Sequence, residues 1–434
     1  MPPHGYTFIP SSLDGVEDAE DYQPGGFHPI AIGDSFSQSR YRVVHKLGYG
    51  GSSTVWLARD TCDGDRLVAL KAMRADASPK HTDEILSLSI AELLRAVPPL
   101  SSHILPVDDH FFVQGPNGTH MFLVSPFAGP NLLAMSDCPG RVIGSRRLRA
   151  DLARKVAKQT AMALYYMHSA GIVHGDLTTS NILFRLSPQV RTWSDAELYR
   201  HLGRPQTEEL RTWDGTPRPS GAPAERVAPI DNPRWTDASI LQESIALGDF
   251  GQSYVVASPP PDYEPATVFN YISPEARFED RAGLEADVWA LGCAIFEIRA
   301  GAALFETFLQ SDLSVLIETV SLLGRLPDPW WGMFTERSTW FGEDGEAKSA
   351  EEQERAGGLR ARKTSIREQL RLIGAGVDAP LSSDGPMIEQ TGVRLREEEV
   401  DLLGDLLEKM LKYRPEDRIR IDEVINHPWF NYAG

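Results

Sequence analysis

The stretch GIVHGDLTTSNILF, residues 171–184, constrains this chain more than any other part of its sequence. It contains Asp176 and Asn181 in the spacing D-x-x-x-x-N. A carboxylate can orient an attacking hydroxyl or accept its proton, and an amide oxygen can hold a magnesium ion. Further along, LGDFGQS supplies a second carboxylate, Asp249, that can bridge magnesium to phosphate oxygens. These groups are sufficient in kind for phosphoryl transfer, which depends on positioning and charge neutralisation more than on covalent chemistry.

A second candidate site lies upstream in LGYGGSSTVWLA, a pattern that predicts a strand, a glycine turn and another strand. Gly48 and Gly50 let the backbone approach phosphates, and Val55 would lie against a base. Hairpins often need glycine for geometry alone, so this signal is weak by itself. A P-loop is excluded, because no Lys-Ser/Thr pair ends the run and no helix is predicted after it. The following VALK places Lys71 on the next strand, where its ammonium can pair with α- and β-phosphates.

The order of these motifs, glycine turn, strand Lys, D-x-x-x-x-N and D-F-G, is a strong signal of a kinase. The loop alone leaves the class open, because Gly175 stands where most protein kinases have Arg and His-Gly-Asp is also typical of small-molecule kinases. Three later stretches favour protein kinases. YISPEA resembles the A-P-E motif, EADVWALGCAIFEI resembles the helix whose Asp braces the catalytic loop, and YRPEDRIRIDEVINHPWF resembles the final helices. This resemblance implies that Arg418 pairs with Glu275.

The beginning of the chain narrows the resemblance further. DYQPGGFHPIAIGDSF and RYRVVHKLGYGGSSTVWLARD closely resemble the start of the SR-protein kinases, which phosphorylate serine/arginine-rich splicing factors. That family also has an insertion between the catalytic loop and D-F-G, and the likeness covers about residues 21–430. It implies an α+β, bilobal protein-kinase fold with a small β-rich N-lobe carrying one main helix and a larger, mainly helical C-lobe. It also implies ATP with Mg²⁺ and transfer to Ser or Thr.

The same resemblance implies roles for individual residues. Asp176, Lys71, Asn181 and Asp249 form the expected catalytic set, and Asn181 and Asp249 are the expected metal ligands. Glu92 is preferred as the carboxylate partner of Lys71 because of its spacing from HIL, and Glu84 is the alternative. The adenine would meet the backbone at Pro126 and Ala128, with Ser125 as gatekeeper. The residues expected to hold the nucleotide are Leu47, Gly48, Gly50, Val55, Ala69, Lys71, Glu92, Pro126, Ala128 and Leu183.

Two departures from the family concern the catalytic loop. The family has Lys at the place of Thr178, where it contacts the γ-phosphate, and Thr at the place of Val268, where it bridges that Lys and the catalytic Asp. Thr267 stands one place off. Tyrosine kinases carry Arg at the place of Ser180, so no cation inside the loop replaces the Lys. Losing such a charge costs on the order of 3 kcal/mol, a hundredfold or more in rate. An active Ser/Thr kinase and a pseudokinase scaffold that binds nucleotide or protein partners are therefore both open.

Gly175 has a regulatory consequence. The usual Arg at this place reads a phosphate on the activation segment, so its absence predicts activity without that modification. Ser253, Ser258 and Thr267 lie in the segment concerned.

Local patterns also divide the chain. Residues 1–38 form an N-terminal extension with irregular packing, 39–128 the N-lobe, and 129–434 the C-lobe with insertions near 185–245 and 334–390. Both insertions are expected to be solvated surface, the first with one short helix at SDAELYRHLG. A helix is predicted from SPKHTDEILSLSIAELLRAV and a buried amphipathic helix from RRLRADLARKVAKQTAMALYYMHSAG.

Composition limits the partners. The net charge of −18 argues against nucleic-acid binding, and a strongly acidic surface would attract basic partners. The resemblance to the SR-protein kinases implies that these include Arg/Ser-rich protein substrates. The three cysteines form no C-x-x-C pair, which suits a reducing compartment. The chain starts without a signal-peptide pattern, and charged residues interrupt its most apolar run. We expect a monomer that acts in the cytoplasm, the nucleus or both, away from membranes.

Overall fold

The computed structural model of the chain describes residues 6–79, 88, 93, 103–136, 147–260, 263–306, 311–353, 359–375 and 385–434. The chain divides into two compact units. The first unit comprises residues 1–91, 105–130 and 185–242, and the second comprises residues 92–104, 131–184 and 243–434. Residues 185–242 are thus grouped with the N-terminal segments, whereas the sequence patterns had assigned them to the C-lobe.

The first unit is built on a six-stranded antiparallel sheet with the strand order β1-β2-β3-β4-β6-β5. Its strands are β1 (Ser35–Phe36), β2 (Tyr41–Gly50), β3 (Ser53–Asp60), β4 (Arg66–Met73), β5 (Asp109–Gly115) and β6 (Gly118–Pro126). Strand alternation directs Trp56, Leu70 and Phe122 to one face, where they form a buried core with other strand residues. The predicted main helix falls outside the described residues except for Leu88 and Leu93, which are helical.

The N-terminal extension packs within the first unit through a small apolar cluster. Phe8, Tyr22 and Phe27 pack with Leu210 and Ala222 of the insertion. Apart from the 3-10 turn Ala19–Asp21, the described part of this segment up to β1 has no helix or strand, which agrees with the predicted irregular packing.

The insertion that contains residues 185–242 is an ordered part of the first unit. It contains α3 (Asp195–Leu202), β9 (Thr207–Glu209), β10 (Glu225–Val227) and α4 (Asn232–Trp235). The predicted short helix is confirmed as α3, which begins with a capping box. Asp195 accepts hydrogen bonds from Arg59 Nε at 2.9 Å and Arg42 Nη2 at 3.0 Å, and thereby attaches α3 to the sheet. The prediction that this insertion is solvated surface was wrong, because Leu198 and Leu202 are buried.

The second unit is mainly helical. Its helices are α1 (Leu132–Ser136), α2 (Ala150–Ser169), α5 (Pro274–Glu279), α6 (Leu284–Ala300), α7 (Asp312–Leu323), α8 (Trp330–Met333), α9 (Ile366–Leu372), α10 (Glu397–Met410) and α11 (Ile421–Val424). Two short ladders accompany them: β7 (Ile172–Val173) with β12 (Tyr254–Val255), and β8 (Ile182–Leu186) with β11 (Leu241–Leu247). A β-rich unit and a mainly helical unit confirm the predicted α+β class.

Two helices form the centre of the second unit. The amphipathic helix predicted from the sequence is confirmed as α2, whose residues Leu152, Val156 and Leu164 are fully buried. The chain turns away from α2 at Gly171, which has a φ of +70° that suits glycine. Helix α6 is buried along nearly its whole length, as its apolar sequence predicted. No helix in the described parts of the chain is both long and apolar enough to cross a membrane.

Part of the second insertion, near 334–390, is buried. Its residues Phe334, Trp340 and Phe341 pack in one cluster with Trp330 and Trp331, which precede it, and with residues of α7. For these aromatic residues the prediction of solvated surface was wrong; they are spread over an irregular segment and show no periodicity that would reveal their burial. The charged stretch 343–352 is mostly exposed, as predicted, and residues 354–358 and 376–384 lie outside the described part of the chain.

Candidate active site

The backbone of the catalytic loop is held by a carboxylate of α6. Asp287 is buried and accepts hydrogen bonds from the amide of His174 at 2.8 Å and the amide of Gly175 at 3.0 Å. The Nε2 atom of His168, near the end of α2, lies 2.9 Å from the same carboxylate. The predicted bracing Asp is therefore confirmed as Asp287, and one residue satisfies two backbone donors that would otherwise be buried without partners.

His174 connects the catalytic loop to the D-F-G segment. Its Nδ1 accepts a hydrogen bond from the amide of Asp176 at 3.2 Å, and its Nε2 lies 3.2 Å from the carbonyl of Gly248. To accept this hydrogen bond Nδ1 must be unprotonated, so the ring proton is on Nε2 and is donated to the carbonyl oxygen of Gly248. The amide of Gly248 in turn donates to the carbonyl of Asn181 at 2.9 Å. The segment that precedes Asp249 is thus bonded to both ends of the loop.

Asp176 and Asn181 lie side by side, as the spacing predicted. The Asn181 amide nitrogen donates to the Asp176 carbonyl at 2.7 Å and to the Asp176 carboxylate at 2.9 Å. Because the nitrogen makes both contacts, the amide oxygen is oriented away from Asp176 and is available as a ligand for a hard cation.

The pKa of the Asp176 carboxyl is raised above its usual value, although neighbouring groups act on it in both directions. Burial raises the pKa of this carboxyl, and the negative charge of Asp249 raises it further. The hydroxyl of Thr267, the ring of His174 and the amide of Asn181 lower the pKa. The influence of Asp249 indicates that the two predicted acidic groups share one region of the second unit.

Asp249 has an unusual backbone conformation. Its φ is +59°, in the left-handed region that residues with a side chain seldom adopt. The next residue, Phe250, is buried, and its ring centroid lies 5.5 Å from that of His174. Such a conformation is retained where the surroundings determine it, which is typical of functional sites.

Thr267 corrects one expectation from the sequence. Counting back from Glu275 gave Val268 at the place of the bridging Thr, and Val268 is exposed at 56%. The Thr267 hydroxyl is instead buried and close enough to lower the pKa of Asp176. Its geometry falls short of a formed hydrogen bond, and it has no other partner in the described residues. Thr267, and not Val268, is therefore the residue of this segment whose hydroxyl lies near Asp176, while Thr178 stands at the place of the family Lys.

A small cavity adjoins this hydroxyl. Gly175, Leu177, Thr267 and Tyr271 are among the residues that line it, and its volume is about 20 Å³. A buried water molecule requires a cavity of roughly 10–15 Å³ with polar groups in its wall, so this cavity is large enough for one water molecule.

A buried network beneath the loop was not predicted from the sequence. Glu297 of α6 accepts hydrogen bonds from the Thr179 hydroxyl at 2.7 Å and from the Tyr271 hydroxyl at 2.5 Å. All three residues are buried. They connect α6, the catalytic loop and the segment before α5, which are far apart in the sequence. The polar Glu297 within the apolar run of α6 was the one available signal, since a buried charge needs partners.

The predicted pair of Arg418 and Glu275 is confirmed. The Nη1 and Nη2 atoms of Arg418 each donate a hydrogen bond of 2.6 Å to one oxygen of the Glu275 carboxylate, in a bidentate arrangement. The Arg418 side chain is fully buried and also donates to the carbonyls of Lys412, Tyr413 and Glu285. This pair attaches α5 to the end of the chain.

The sheet of the first unit carries most of the residues predicted to bind the nucleotide. Val55 is directly opposite Lys71 in the β3–β4 register, and Leu57 is opposite Ala69. Val55, Ala69 and Lys71 are half-buried, whereas their strand neighbours Leu70 and Ala72 belong to the core. The alternation therefore puts the three side chains on the face of the sheet away from that core.

The glycine turn extends the same sheet. Leu47, Gly48 and Gly50 lie at the end of β2, where Gly48 is opposite Val55 and Gly50 is opposite Ser53. A Cβ atom added to Gly48 or Gly50 would meet no atom within 4 Å, so the space around this hairpin is open to a ligand.

The residues expected at the adenine and at the Lys partner position are placed as follows. Pro126 ends β6, Ala128 follows it in the first unit, and Leu183 lies in β8 within the second unit. Glu92 and its alternative Glu84 lie outside the described residues. The choice between them stays a prediction.

These residues fit ATP and magnesium in kind. The amide oxygen of Asn181 and the carboxylate of Asp249 are the hard oxygen ligands that magnesium prefers. The open glycine hairpin offers backbone amides to phosphates, and Lys71 offers a cation.

Comparison with known proteins agrees with this arrangement. The protein kinase domain family matches residues 41–218 and 238–430. The serine/threonine-protein kinase SRPK of Physarum polycephalum is 26% identical over 428 residues, which cover 95% of this chain and 91% of the relative.

Two further relatives have higher identity over shorter matches. Protein kinase dsk1 of Schizosaccharomyces pombe is 34% identical over 212 residues, or 48% of this chain and 36% of the relative. SRSF protein kinase 3 of Homo sapiens is 33% identical over 211 residues, or 44% of this chain and 36% of the relative. The chain thus matches about a third of the length of these two relatives.

Proposed function

The chain belongs to the protein kinase family, as an SRPK-like serine/threonine kinase, and we propose that it transfers the γ-phosphate of ATP to Ser or Thr hydroxyls of protein substrates. One observation supports this proposal above all others. Asp176 and Asn181 are hydrogen-bonded to each other, and the charge of Asp249 acts on Asp176. Asp287 holds the backbone beside them. Phosphoryl transfer needs this combination of an orienting carboxylate and oxygen ligands for magnesium.

Each residue has a separate task in this proposal. Asp176 orients the acceptor hydroxyl and accepts its proton, while Asn181 donates a hydrogen bond to its carboxylate. Asn181 and Asp249 would hold magnesium, which neutralises phosphate charge when it is bound. Lys71 would pair with the α- and β-phosphates, and the glycine hairpin would cover them.

Thr178 sets an expectation for the rate. The family Lys at this place neutralises charge on the transferring group, and its loss costs on the order of 3 kcal/mol, or a hundredfold in rate. Asn181 still donates to the Asp176 carboxylate and the Thr267 hydroxyl lies near it, so Asp176 keeps neighbours that can orient it. We therefore expect a kinase that is active but slow. No observation on the described residues or the relatives favours the pseudokinase alternative.

The finer substrate proposal is that the acceptors lie in basic, Arg/Ser-rich segments. The human relative is by name a kinase of SRSF proteins, and the net charge of −18 would attract basic chains. Attraction of this kind weakens with salt, so we expect KM for a basic substrate to rise with ionic strength.

The remaining proposals concern the setting of the enzyme. We propose that it acts as a monomer in the cytoplasm, the nucleus or both, without binding nucleic acid or membranes. We also propose that residues 1–38 are an extension of the kinase N-lobe at 39–128, and that 129–434 form the C-lobe with two insertions, the first of which packs with the N-terminal segments.

The decisive experiment is phosphate transfer from labelled ATP in the presence of magnesium. An Arg-Ser repeat peptide and a Lys-Ser repeat peptide of equal charge would be compared, with Asp176→Asn and Asp249→Asn proteins as blanks. Transfer above both blanks supports the kinase, and a preference for the Arg peptide supports the finer substrate proposal. Transfer no faster than in both blanks, in a protein whose melting temperature ATP still raises, would contradict the proposed activity.

A second arm addresses regulation. The parent protein, expressed in bacteria and free of phosphate by mass spectrometry, should already have its full rate, and Ser258→Ala should match it, because Gly175 cannot read a phosphate. A large rise in the parent's rate after treatment with a phosphorylating extract, absent in Ser258→Ala, would show that the expectation is wrong.

A further inference from the structure

Gly175 lies against the activation segment with no room for a side chain. Its φ is +81°, and a Cβ atom added to it would be 2.9 Å from the Tyr263 hydroxyl oxygen and would overlap the Gln252 carbonyl oxygen. Real Cβ atoms do not approach other atoms so closely, and the positive φ also favours glycine. The phenol of Tyr263 therefore occupies the space into which a side chain at position 175 would project.

Tyr263 is held in this place by a second tyrosine. Its ring centroid lies 4.7 Å from that of Tyr254, with the two ring planes inclined by 56°. Tyr254 belongs to β12 and is directly opposite Val173 of β7, the strand that leads into the catalytic loop. The Tyr254 hydroxyl donates to the carbonyl of Ala282. The Tyr263 ring is thus supported by a strand that is itself bonded to the beginning of the loop.

The Tyr263 hydroxyl is buried and has no hydrogen-bond partner in the described residues. Burial raises the pKa of Tyr263, and the charges of Tyr254, Asp287 and Asp176 raise it further. The side chain is therefore a neutral phenol at any physiological pH. What it supplies to the loop is the volume of its ring, not a charge.

Position 175 and residue 263 are complementary in size. In kinases with Arg at the first position, a phosphate on the activation segment supplies the partner for that cation. Here the hydroxyl end of a neutral tyrosine from the same segment lies next to a glycine, and steric contact takes the place of the ion pair. Aromatic side chains bury a large area at low conformational cost and suit such a task.

We propose that Tyr263 is a positioning residue for the phosphoryl transfer. Together with the Gln252 carbonyl, its phenol fills the place of a side chain at Gly175 and holds the catalytic loop so that Asp176 faces the acceptor hydroxyl. This inference rests on the proposed function, because it assigns Tyr263 to the same site. It also explains how the loop is held without a phosphate on the segment.

The test uses the full chain and three variants. Tyr263→Ala removes the ring, Tyr263→Phe keeps the ring without the hydroxyl, and Tyr432→Ala removes a half-buried tyrosine that packs on Arg154 elsewhere in the second unit. We expect Tyr263→Ala to lower kcat roughly 30-fold with little change in KM for ATP, since a small displacement of the loop costs orientation and not binding. Tyr263→Phe should retain at least about a third of kcat, and Tyr432→Ala should match the parent.

A measurement that is independent of activity accompanies the kinetics. Hydrogen exchange of the Gly175 and Asp176 amides should be about tenfold faster in Tyr263→Ala than in the parent and in Tyr263→Phe, because the loop opens more often. A kcat within about threefold of the parent in Tyr263→Ala would overturn the proposal, and so would an equal loss in the Phe and Ala variants. If the parent itself transfers no phosphate, the proposed function fails. Even in that case the hydrogen exchange tests the positioning role separately. Unchanged exchange of the Gly175 and Asp176 amides in Tyr263→Ala would overturn this role, and faster exchange would support it.

Discussion

Replacing Asp287 with Asn tests whether α6 holds the catalytic loop. The carboxylate accepts hydrogen bonds from the amides of His174 and Gly175 at 2.8 and 3.0 Å, and His168 lies 2.9 Å away. An Asn side chain has a single acceptor oxygen, and its NH2 group cannot accept a hydrogen bond. At least one buried amide therefore loses its partner, and the other contacts lose the benefit of a charged acceptor.

The size of the effect follows from these contacts. Hydrogen bonds to charged groups contribute about 1.5–3 kcal/mol and neutral ones about 1 kcal/mol, so one lost and one weakened bond amount to about 3 kcal/mol. We expect the free energy of unfolding to fall by that amount. We expect kcat to fall roughly a hundredfold, because the loop that carries Asp176 is no longer held in place.

The measurement is denaturant unfolding, supported by steady-state kinetics. Glu285→Gln is the matched control, since Glu285 lies on the same helix, is exposed and undergoes the same change of charge. An unchanged dependence on denaturant would show that the midpoint shift reports stability. If Asp287→Asn and Glu285→Gln unfold within about 0.5 kcal/mol of each other, the argument that Asp287 braces the loop is refuted.

Three more predictions follow from single contacts. Burial, followed by the charge of the neighbouring His120, lowers the pKa of His28 to about 4. Because the pKa in the unfolded chain is about 6.5, the contribution of neutral His28 to stability is complete above pH 6.5 and is lost as the pH falls towards 4. The free energy of unfolding should therefore decrease by about 2 kcal/mol between pH 7 and pH 5. Unfolding of His28→Gln at both pH values should show a smaller loss, and an equal loss would contradict the assignment. Glu275→Gln should reduce the free energy of unfolding by about 3 kcal/mol, since the Arg418 side chain is fully buried; a loss below about 1 kcal/mol in chemical denaturation would disprove this. Thr178→Lys should raise kcat roughly tenfold or more, whereas Thr178→Met, of similar length without charge, should not; equal rates for both variants would refute the missing-charge argument.

Much of the candidate site was predictable because its signals are local. The spacing of Asp176 and Asn181 is short enough that one loop brings the two side chains together, and the structure shows them bonded. Lys71 lies on the predicted strand for the same reason, since strand alternation is encoded in neighbouring residues. Arg418 and Glu275 are distant in sequence, and only the family resemblance predicted their pairing.

The first insertion and the N-terminal extension show where local sequence patterns fail to predict burial. Residues near 185–245 contain many Pro and Arg residues, which predicted solvated surface, yet Leu210 and Ala222 pack with Phe8 and Tyr22 of the N-terminal extension. Neither segment has an apolar period of its own. Each buries its few large side chains against the other, and such complementarity between distant segments leaves no trace in either sequence alone.

The sequence by itself determined the type of chemistry, because carboxylates, an amide and a strand Lys in a short and ordered spacing permit few alternatives. Tertiary structure decided how those groups are supported. Counting along the chain missed Thr267, since an irregular segment can shift its register by one residue and still bring a hydroxyl close to Asp176. Likewise, Gly175 could be recognised as a missing Arg, but only the folded chain shows Tyr263 against it. The identity of a reactive group is a property of one residue, whereas its support depends on packing among residues that meet only after folding.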